Sequence, residues 1–110
     1  MAISIERDTK PFDAAEYLTS DVAQAEYLTA ALEENDPAFF ADAIGVVARA
    51  RGMSQLANET GLTRDTLYKA FSQGGNPTLE TLFRVLDALG IKLVAIPAAH
   101  PVGSDEVTPA

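Results

Sequence analysis

The stretch MSQLANETGLTRDTLYKAF, Met53 to Phe71, decides the fold that this sequence predicts. It contains two short helical patterns with a glycine, Gly61, between them. Glycine adopts a positive φ without steric cost, so one helix can end at Gly61 and another can begin directly after it. Ala57, four residues earlier, is small enough to let a second helix cross the first, and Leu62 can anchor that second helix on a core. These offsets are typical of a helix-turn-helix, and a generic helical hairpin is the alternative.

The patterns on both sides of this stretch predict an all-α, compact helical bundle. An acid before a proline, Asp36–Pro37, is a strong helix start, because the acid caps the N-terminus and proline is tolerated at the first helical position. The predicted N-caps are Asp13, Ser20 or Asp21, Asp36, Ser54, Thr63 and Thr78, and the predicted stops are Gly52, Gly61 and Gly90. We expect a flexible N-terminus over 1–12, an acidic helical extension over 13–36, a helix-turn-helix domain over 37–96 and a disordered tail over 97–110.

The last apolar segment, IKLVAI from Ile91 to Ile96, is short and rich in branched residues, which favours a short C-terminal β-strand. Pro97 ends it. Such a strand can lie at the edge of the domain, or it can pair with its copy across a dimer through Ile91, Leu93 and Ile96. Burial of Leu93 within a single chain is the alternative.

The 110-residue chain has a formal net charge of −8, and its acidic residues lie mainly at the N-terminal end. Residues 1–36 hold nine acidic and two basic side chains, whereas residues 37–96 hold five acidic and six basic ones. The charge that would oppose binding to an anionic nucleic acid is therefore largely outside the helix-turn-helix pattern. An acidic N-terminal part can meet a basic partner or form a solvated surface.

The composition offers little for catalysis or metal binding. The chain has no cysteine and a single histidine, His100, in the predicted tail, and no metal-ligand spacing occurs. We therefore expect no enzyme activity, no metal and no cofactor. No apolar run approaches the ~20 residues of a membrane span, and the N-terminus lacks the apolar core of a signal peptide. These features fit a cytoplasmic protein without a membrane partner.

If the helix-turn-helix binds DNA, its second helix lies in the major groove with its N-terminal residues towards the base edges. The candidate DNA contacts are Ser54, Gln55, Thr63, Arg64, Asp65, Thr66, Tyr68 and Lys69. Arg64 can bind a guanine edge or remain solvated, and Lys69 can contact a phosphate or pair with Asp65 along the helix. Tyr68 can touch the DNA backbone or pack. Six basic residues neutralise few phosphates, so DNA binding here predicts a homodimer.

Three phrases carry a resemblance to a known family. They are KPFDAAEYL, AEYLTAALEENDPAFFADAIGVVARARGMSQLANETGLTRDTLYKAF and GNPTLETLFRVLDALGIKL, between Lys10 and Pro97. With them the chain resembles the addiction-module antidote proteins, type II antitoxins of the Cro/repressor-type helix-turn-helix superfamily. The resemblance implies a DNA-binding antitoxin that neutralises a small basic RelE/ParE-type toxin encoded by a neighbouring gene and represses its own operon. It also assigns the DNA contacts to Gln55 and to residues 63–69.

The implied toxin gives the acidic N-terminal part a hypothetical role. Carboxylates at Glu26, Glu33 and Glu34 would complement a basic toxin surface. The helix-turn-helix domain itself is the alternative surface for the toxin. Two further functions stay open: a stand-alone transcriptional regulator without a toxin partner, and a protein-binding module that no longer binds DNA.

Overall fold

Five α-helices and one short 3₁₀ helix make up residues 13–98, the part of the chain that this computed structural model describes. The elements in chain order are the 3₁₀ helix Ala14–Tyr17, α1 Asp21–Leu32, α2 Pro37–Arg51, α3 Met53–Thr60, α4 Arg64–Ala70 and α5 Leu79–Leu89. The predicted all-α class is confirmed. None of these helices is long and apolar enough to cross a membrane.

Most helices begin where their capping residues predict. The side-chain oxygens of Asp13, Ser20, Asp36, Thr63 and Thr78 each accept a backbone N–H two or three residues further on, at 3.0–3.3 Å. Ser20 rather than Asp21 therefore caps α1. The predicted cap at Ser54 is wrong, because α3 begins at Met53 and Ser54 lies inside its first turn. The residue before α3, Gly52, has a φ of 113°, which turns the chain early enough to start the helix ahead of the serine.

Helix α2 lies at the centre of the core. All six residues from Ala43 to Ala48 are buried, so neighbouring elements must cover every side of the helix. The 3₁₀ helix, α1, α3 and α4 pack on α2, and α5 packs on α3. The largest fully buried side chains come from all five α-helices: Leu28, Ile44, Val47, Leu56, Leu67, Val85 and Leu89. One core therefore joins the acidic segment to the remainder of the described chain.

A glycine in the middle of α2 marks a close approach between two helices. Gly45 is buried, and a Cβ atom added there would overlap the carbonyl oxygen of Phe71, the residue that follows α4. A helix-interior glycine costs roughly 1 kcal/mol relative to alanine. The position of the Phe71 carbonyl explains why glycine is present despite that cost, since a side chain would occupy the same space.

The guanidinium of Arg51, at the end of α2, connects three helices. Its Nε donates to Oε1 of Gln24 at 2.9 Å, and its Nη2 donates to Oδ1 of Asp21 at 3.1 Å and to the carbonyl oxygen of Leu89. Gln24 is buried and donates in turn to the carbonyl oxygen of Leu18 at 2.9 Å. These bonds hold α1 and the end of α5 against the end of α2.

A second ion pair fixes the start of the acidic segment. Oδ1 of Asp13 accepts a hydrogen bond from Nη2 of Arg49 on α2 at 3.1 Å. The backbone N–H of Ala15 and the Arg49 guanidinium hold the pKa of Asp13 below its usual value. Both side chains are partly exposed, so this pair contributes only modestly to stability.

The predicted C-terminal strand is not formed within the described chain. Residues 91–98 have no regular secondary structure, and residues 13–98 contain no strand with which Ile91–Ile96 could pair. Leu93 remains 40% exposed, so the alternative in which it is buried within one chain is wrong as well. The predicted flexible N-terminus, residues 1–12, lies outside the described residues, as do residues 99–110 of the predicted tail, which include His100.

Replacement of the buried glycine, Gly45→Ala, is expected to lower the free energy of unfolding by about 1–3 kcal/mol, because the added methyl group must displace the Phe71 carbonyl. Gly74→Ala is the matched control, since a Cβ atom there would meet nothing within 4 Å. Urea unfolding followed by circular dichroism measures both variants. Equal midpoints for Gly45→Ala and the unmodified protein would contradict the close contact.

Candidate nucleic-acid interface

Helices α3 and α4 are joined by a short turn that begins at Gly61. This glycine has a φ of 79°, the left-handed conformation that the sequence predicts, and its N–H donates to the carbonyl oxygen of Ala57 at 2.9 Å. The hydroxyl of Thr60 is buried; it donates to the carbonyl oxygen of Leu56 at 2.8 Å and accepts the N–H of Leu62 at 3.2 Å. Thr60 is absent from the predicted residues, although threonine hydroxyls commonly bind backbone groups beside turns.

The inner sides of both helices are anchored in the core. Leu56 of α3 and Leu67 of α4 are fully buried, and Phe71 after α4 is buried against α2. Leu62, in the turn, packs partly buried against the same core, as the sequence predicts. With its inner side fixed in this way, α4 presents its remaining side chains to solvent.

All eight candidate DNA contacts are exposed. Two lie in the first turn of α3 and six lie on α4 or at its N-cap: Ser54, Gln55, Thr63, Arg64, Asp65, Thr66, Tyr68 and Lys69. Thr63 caps α4, and its hydroxyl donates to the hydroxyl of Thr66 at 2.9 Å. The structure thus places the six candidates from Thr63 to Lys69 on the exposed side of one short helix and at its N-cap. Within residues 13–98 no hydrogen bond or ion pair links Ser54 or Gln55 to them.

Arg64 and Tyr68 form a cation–π contact on the exposed side of α4. The guanidinium carbon of Arg64 lies 5.9 Å from the centroid of the Tyr68 ring. Among the described residues, Arg64 has no carboxylate partner. The tyrosine ring can therefore orient the guanidinium while its N–H groups remain available to bind an acceptor.

Two other candidate contacts are engaged by carboxylates. Nζ of Lys69 lies 3.3 Å from Oδ2 of Asp65, so the pairing along the helix is the arrangement observed. Nε2 of Gln55 donates to Oε2 of Glu59 at 3.0 Å. All four side chains are exposed, and exposed pairs contribute little in water. A phosphate group could displace either carboxylate at low cost.

The comparison with known proteins identifies the family. A family model described as probable addiction module antidote protein matches residues 8–97. The chain belongs to this family of probable addiction module antidote proteins. A curated relative from Haemophilus influenzae, an uncharacterized protein, is 45% identical over 83 residues, which cover 76% of this chain and 86% of the relative. No solved structure matches the chain.

Family membership confirms the resemblance to addiction-module antidotes. An antidote implies a toxin as partner in general, and it indicates a regulatory rather than a catalytic role. Across residues 13–98 of the chain, no group of three or more histidine or acidic side chains is placed to hold a metal ion. The surface of α4 offers hydrogen-bond donors and one oriented guanidinium, which suit the binding of an anionic partner.

Most cationic side chains within residues 13–98 are already paired with carboxylates. The ion pairs are Asp13–Arg49, Asp21–Arg51, Asp65–Lys69 and Glu80–Arg84. Of the six basic residues between 37 and 96, only Arg64 and Lys92 have no such partner among residues 13–98. Residues 53–70, which span α3 and α4, hold two acidic and two basic side chains and so have no net charge. The affinity of this surface for a polyanion must therefore depend on a few well-placed contacts.

Proposed function

We propose that the antidote neutralises a small basic toxin of the RelE/ParE type, encoded by a neighbouring gene, and represses its own operon by binding operator DNA as a homodimer. Membership in an antidote family supports the toxin partner. The exposed polar side of α4, which follows the left-handed turn at Gly61, is the observation that carries the DNA-binding part.

In the proposed complex, α3 and α4 act as a helix-turn-helix of the Cro/repressor type, and α4 lies in the major groove. Arg64, the first residue of α4, binds O6 and N7 of a guanine while Tyr68 supports its guanidinium. Lys69 moves from Asp65 to a phosphate, because an exposed ion pair costs little to break.

The first turn of α3 supplies the proposed contacts to the DNA backbone. Its unpaired N–H groups, together with the exposed side chains of Ser54 and Gln55, can bind a phosphate. Gln55 must then leave Glu59, whose carboxylate repels the phosphate unless the glutamate side chain turns away. These contacts set the position of α4 and do not distinguish base sequences.

The scarcity of unpaired cations is the reason for proposing a dimer. Affinity for DNA scales with the number of neutralised phosphates, so one copy of α3–α4 binds weakly. A two-fold homodimer doubles the contacts and reads two half-sites about one helical turn apart.

The toxin is proposed to bind the outward side of α1. Residues 13–36 contain seven carboxylates and no lysine or arginine. A shallow groove of about 380 Å³ on α1 is lined by Val22, Ala25, Glu26, Thr29, Ala30 and Glu33. These residues recur at helical spacing on the side away from the buried Gln24 and Leu28.

This α1 groove has the chemistry that a basic partner requires. Its small side chains let another backbone approach closely, and Glu26 and Glu33 provide carboxylates at its edge. Glu34 follows at the exposed end of the helix. Within the described chain, none of these three glutamates pairs with a cation. They remain available to meet lysine or arginine side chains of the toxin.

Arg64→Ala is expected to weaken binding to a DNA fragment of the antidote's own promoter by about 10-fold or more, because a bidentate arginine–guanine contact contributes ~1–3 kcal/mol. Arg49→Ala is the matched control, since it removes one positive charge from α2, outside the α3–α4 pair. Fluorescence anisotropy across a salt series measures both affinities and the number of phosphates neutralised.

Two results would contradict this DNA-binding account. Absence of promoter binding by the unmodified antidote at low salt would favour the protein-binding module. An equal loss of affinity in Arg64→Ala and Arg49→Ala would show a general effect of charge in place of a specific contact at α4.

Glu26→Lys combined with Glu33→Lys is expected to weaken toxin binding by about 10-fold or more, since it reverses the charge of the α1 groove. The combination Glu59→Lys and Glu80→Lys is the matched control, because it changes the net charge equally on α3 and α5. Titration calorimetry with the purified toxin measures both. Unchanged affinity in the groove variant would remove α1 as the toxin surface and leave the helix-turn-helix as the alternative.

A further inference from the structure

Apolar surface is concentrated at the C-terminal end of the described chain. Five of the ten exposed large hydrophobic residues lie between positions 79 and 96: Leu79, Phe83, Leu93, Val94 and Ile96. A groove of about 320 Å³ in this region is lined by Phe83, Leu86, Asp87, Ile91, Lys92 and Leu93. This C-terminal groove leaves Phe83 65% exposed, which is unfavourable for an aromatic side chain in water.

Backbone hydrogen bonds at the end of α5 give the C-terminal groove its shape. Gly90 has a φ of 71°, and its N–H donates to the carbonyl oxygen of Asp87 at 3.0 Å. The N–H of Ile91 donates to the carbonyl oxygen of Leu86 at 3.0 Å. Together these bonds form a Schellman motif, which folds the chain back against the helix it has just left. Ile91 packs on the core, and Leu93 lines the groove together with Phe83.

We propose that a second copy of this chain covers the C-terminal groove, with Leu93 and Ile96 of each protomer packed on Phe83 of the other about a two-fold axis. The inference rests on the proposed function, because it names the surface that forms the dimer required for DNA binding. It also replaces the predicted strand pairing: side chains in the groove, and no β-ladder, hold the two copies together.

The charges of the C-terminal groove favour a second copy over other partners. Its two charged residues are one acid, Asp87, and one base, Lys92, and neither forms an ion pair within residues 13–98. A two-fold axis can place Asp87 of one protomer beside Lys92 of the other, so the surface is complementary to itself. The α1 groove cannot pair in this way, since its charged residues are both glutamates.

The oligomeric state in solution tests this interface. The unmodified protein should sediment as a dimer of twice 11.7 kDa. Leu93→Asp and Phe83→Asp should each raise the dimer dissociation constant at least about 100-fold, because each places a charge in a desolvated apolar contact. Phe39→Asp, at an exposed aromatic position in the first turn of α2 and outside the proposed binding surfaces, is the matched control and should remain a dimer.

A charge exchange tests the two-fold geometry directly. Asp87→Lys and Lys92→Asp, made separately, bring like charges together and should each weaken the dimer by about 10-fold. The two changes combined restore an opposite-charge pair across the axis and should restore the dimer. Circular dichroism confirms that each variant keeps its helices, so a loss of dimer reports the interface and not unfolding.

Distinct results overturn the inference and the proposed function. The inferred interface is wrong if the unmodified protein is a monomer, or if the dimer survives Leu93→Asp and Phe83→Asp. It is also wrong if these two variants lose toxin binding while their oligomeric state stays unchanged. If the variants dissociate as expected but the unmodified dimer does not bind its promoter, the interface stands and the DNA-binding proposal fails.

Discussion

Burial of helix α2 on all sides determines how the other helices are arranged. Six consecutive residues, 43–48, are buried, so no single partner helix can cover them. The 3₁₀ helix and α1 cover one part of α2, and α3 and α4 cover another. Because Gly45 has no side chain, the Phe71 carbonyl can approach the α2 backbone, and the end of α4 lies close against α2. The position of the end of the proposed DNA-binding helix therefore depends on a small residue in a different helix.

Hydrogen bonds from the guanidinium of Arg51 add polar contacts to this apolar packing. It binds groups from α1 and from the end of α5, which carry the two other surfaces proposed to take partners. Its contact with buried Gln24 is the more important one for stability, since a buried amide without its hydrogen bonds costs about 1–3 kcal/mol. The pair with exposed Asp21 contributes less. One side chain thus holds the proposed toxin surface and the proposed dimer surface in a fixed relation.

Local features of this fold could be predicted from sequence, whereas contacts between distant segments could not. The caps at Asp36, Thr63 and Thr78 and the left-handed Gly61 depend on neighbours a few residues away, and all were predicted. Gly45 and Phe71 are 26 positions apart in the sequence, and no hydrophobic periodicity indicates that they are in contact.

The two structural predictions that were wrong, the cap at Ser54 and the strand at 91–96, failed for physical reasons. Ser54 is a good capping residue, but Gly52 starts α3 before it. Branched residues at 91–96 favour a strand, yet a strand needs a neighbour to accept its hydrogen bonds, and the described chain offers none. For the candidate site, the exposure of Arg64, Asp65, Thr66, Tyr68 and Lys69 followed from the helical pattern, whereas the pairing of most cations within residues 13–98 with carboxylates required side-chain positions.

The distribution of charge unites the proposed activities. Carboxylates without cationic partners among residues 13–98 lie on the outer side of α1, the α3–α4 surface has no net charge, and the C-terminal groove carries one charge of each sign. Each surface therefore suits a different partner: a basic protein, an operator read by a few contacts, and a second copy of the chain.

Growth of cells that express the adjacent small reading frame measures whether this protein neutralises a toxin, as proposed. We expect growth arrest when that frame is expressed alone and recovery when this protein is co-expressed. A harmless neighbour, or arrest that persists while folded antidote accumulates, would contradict the proposal.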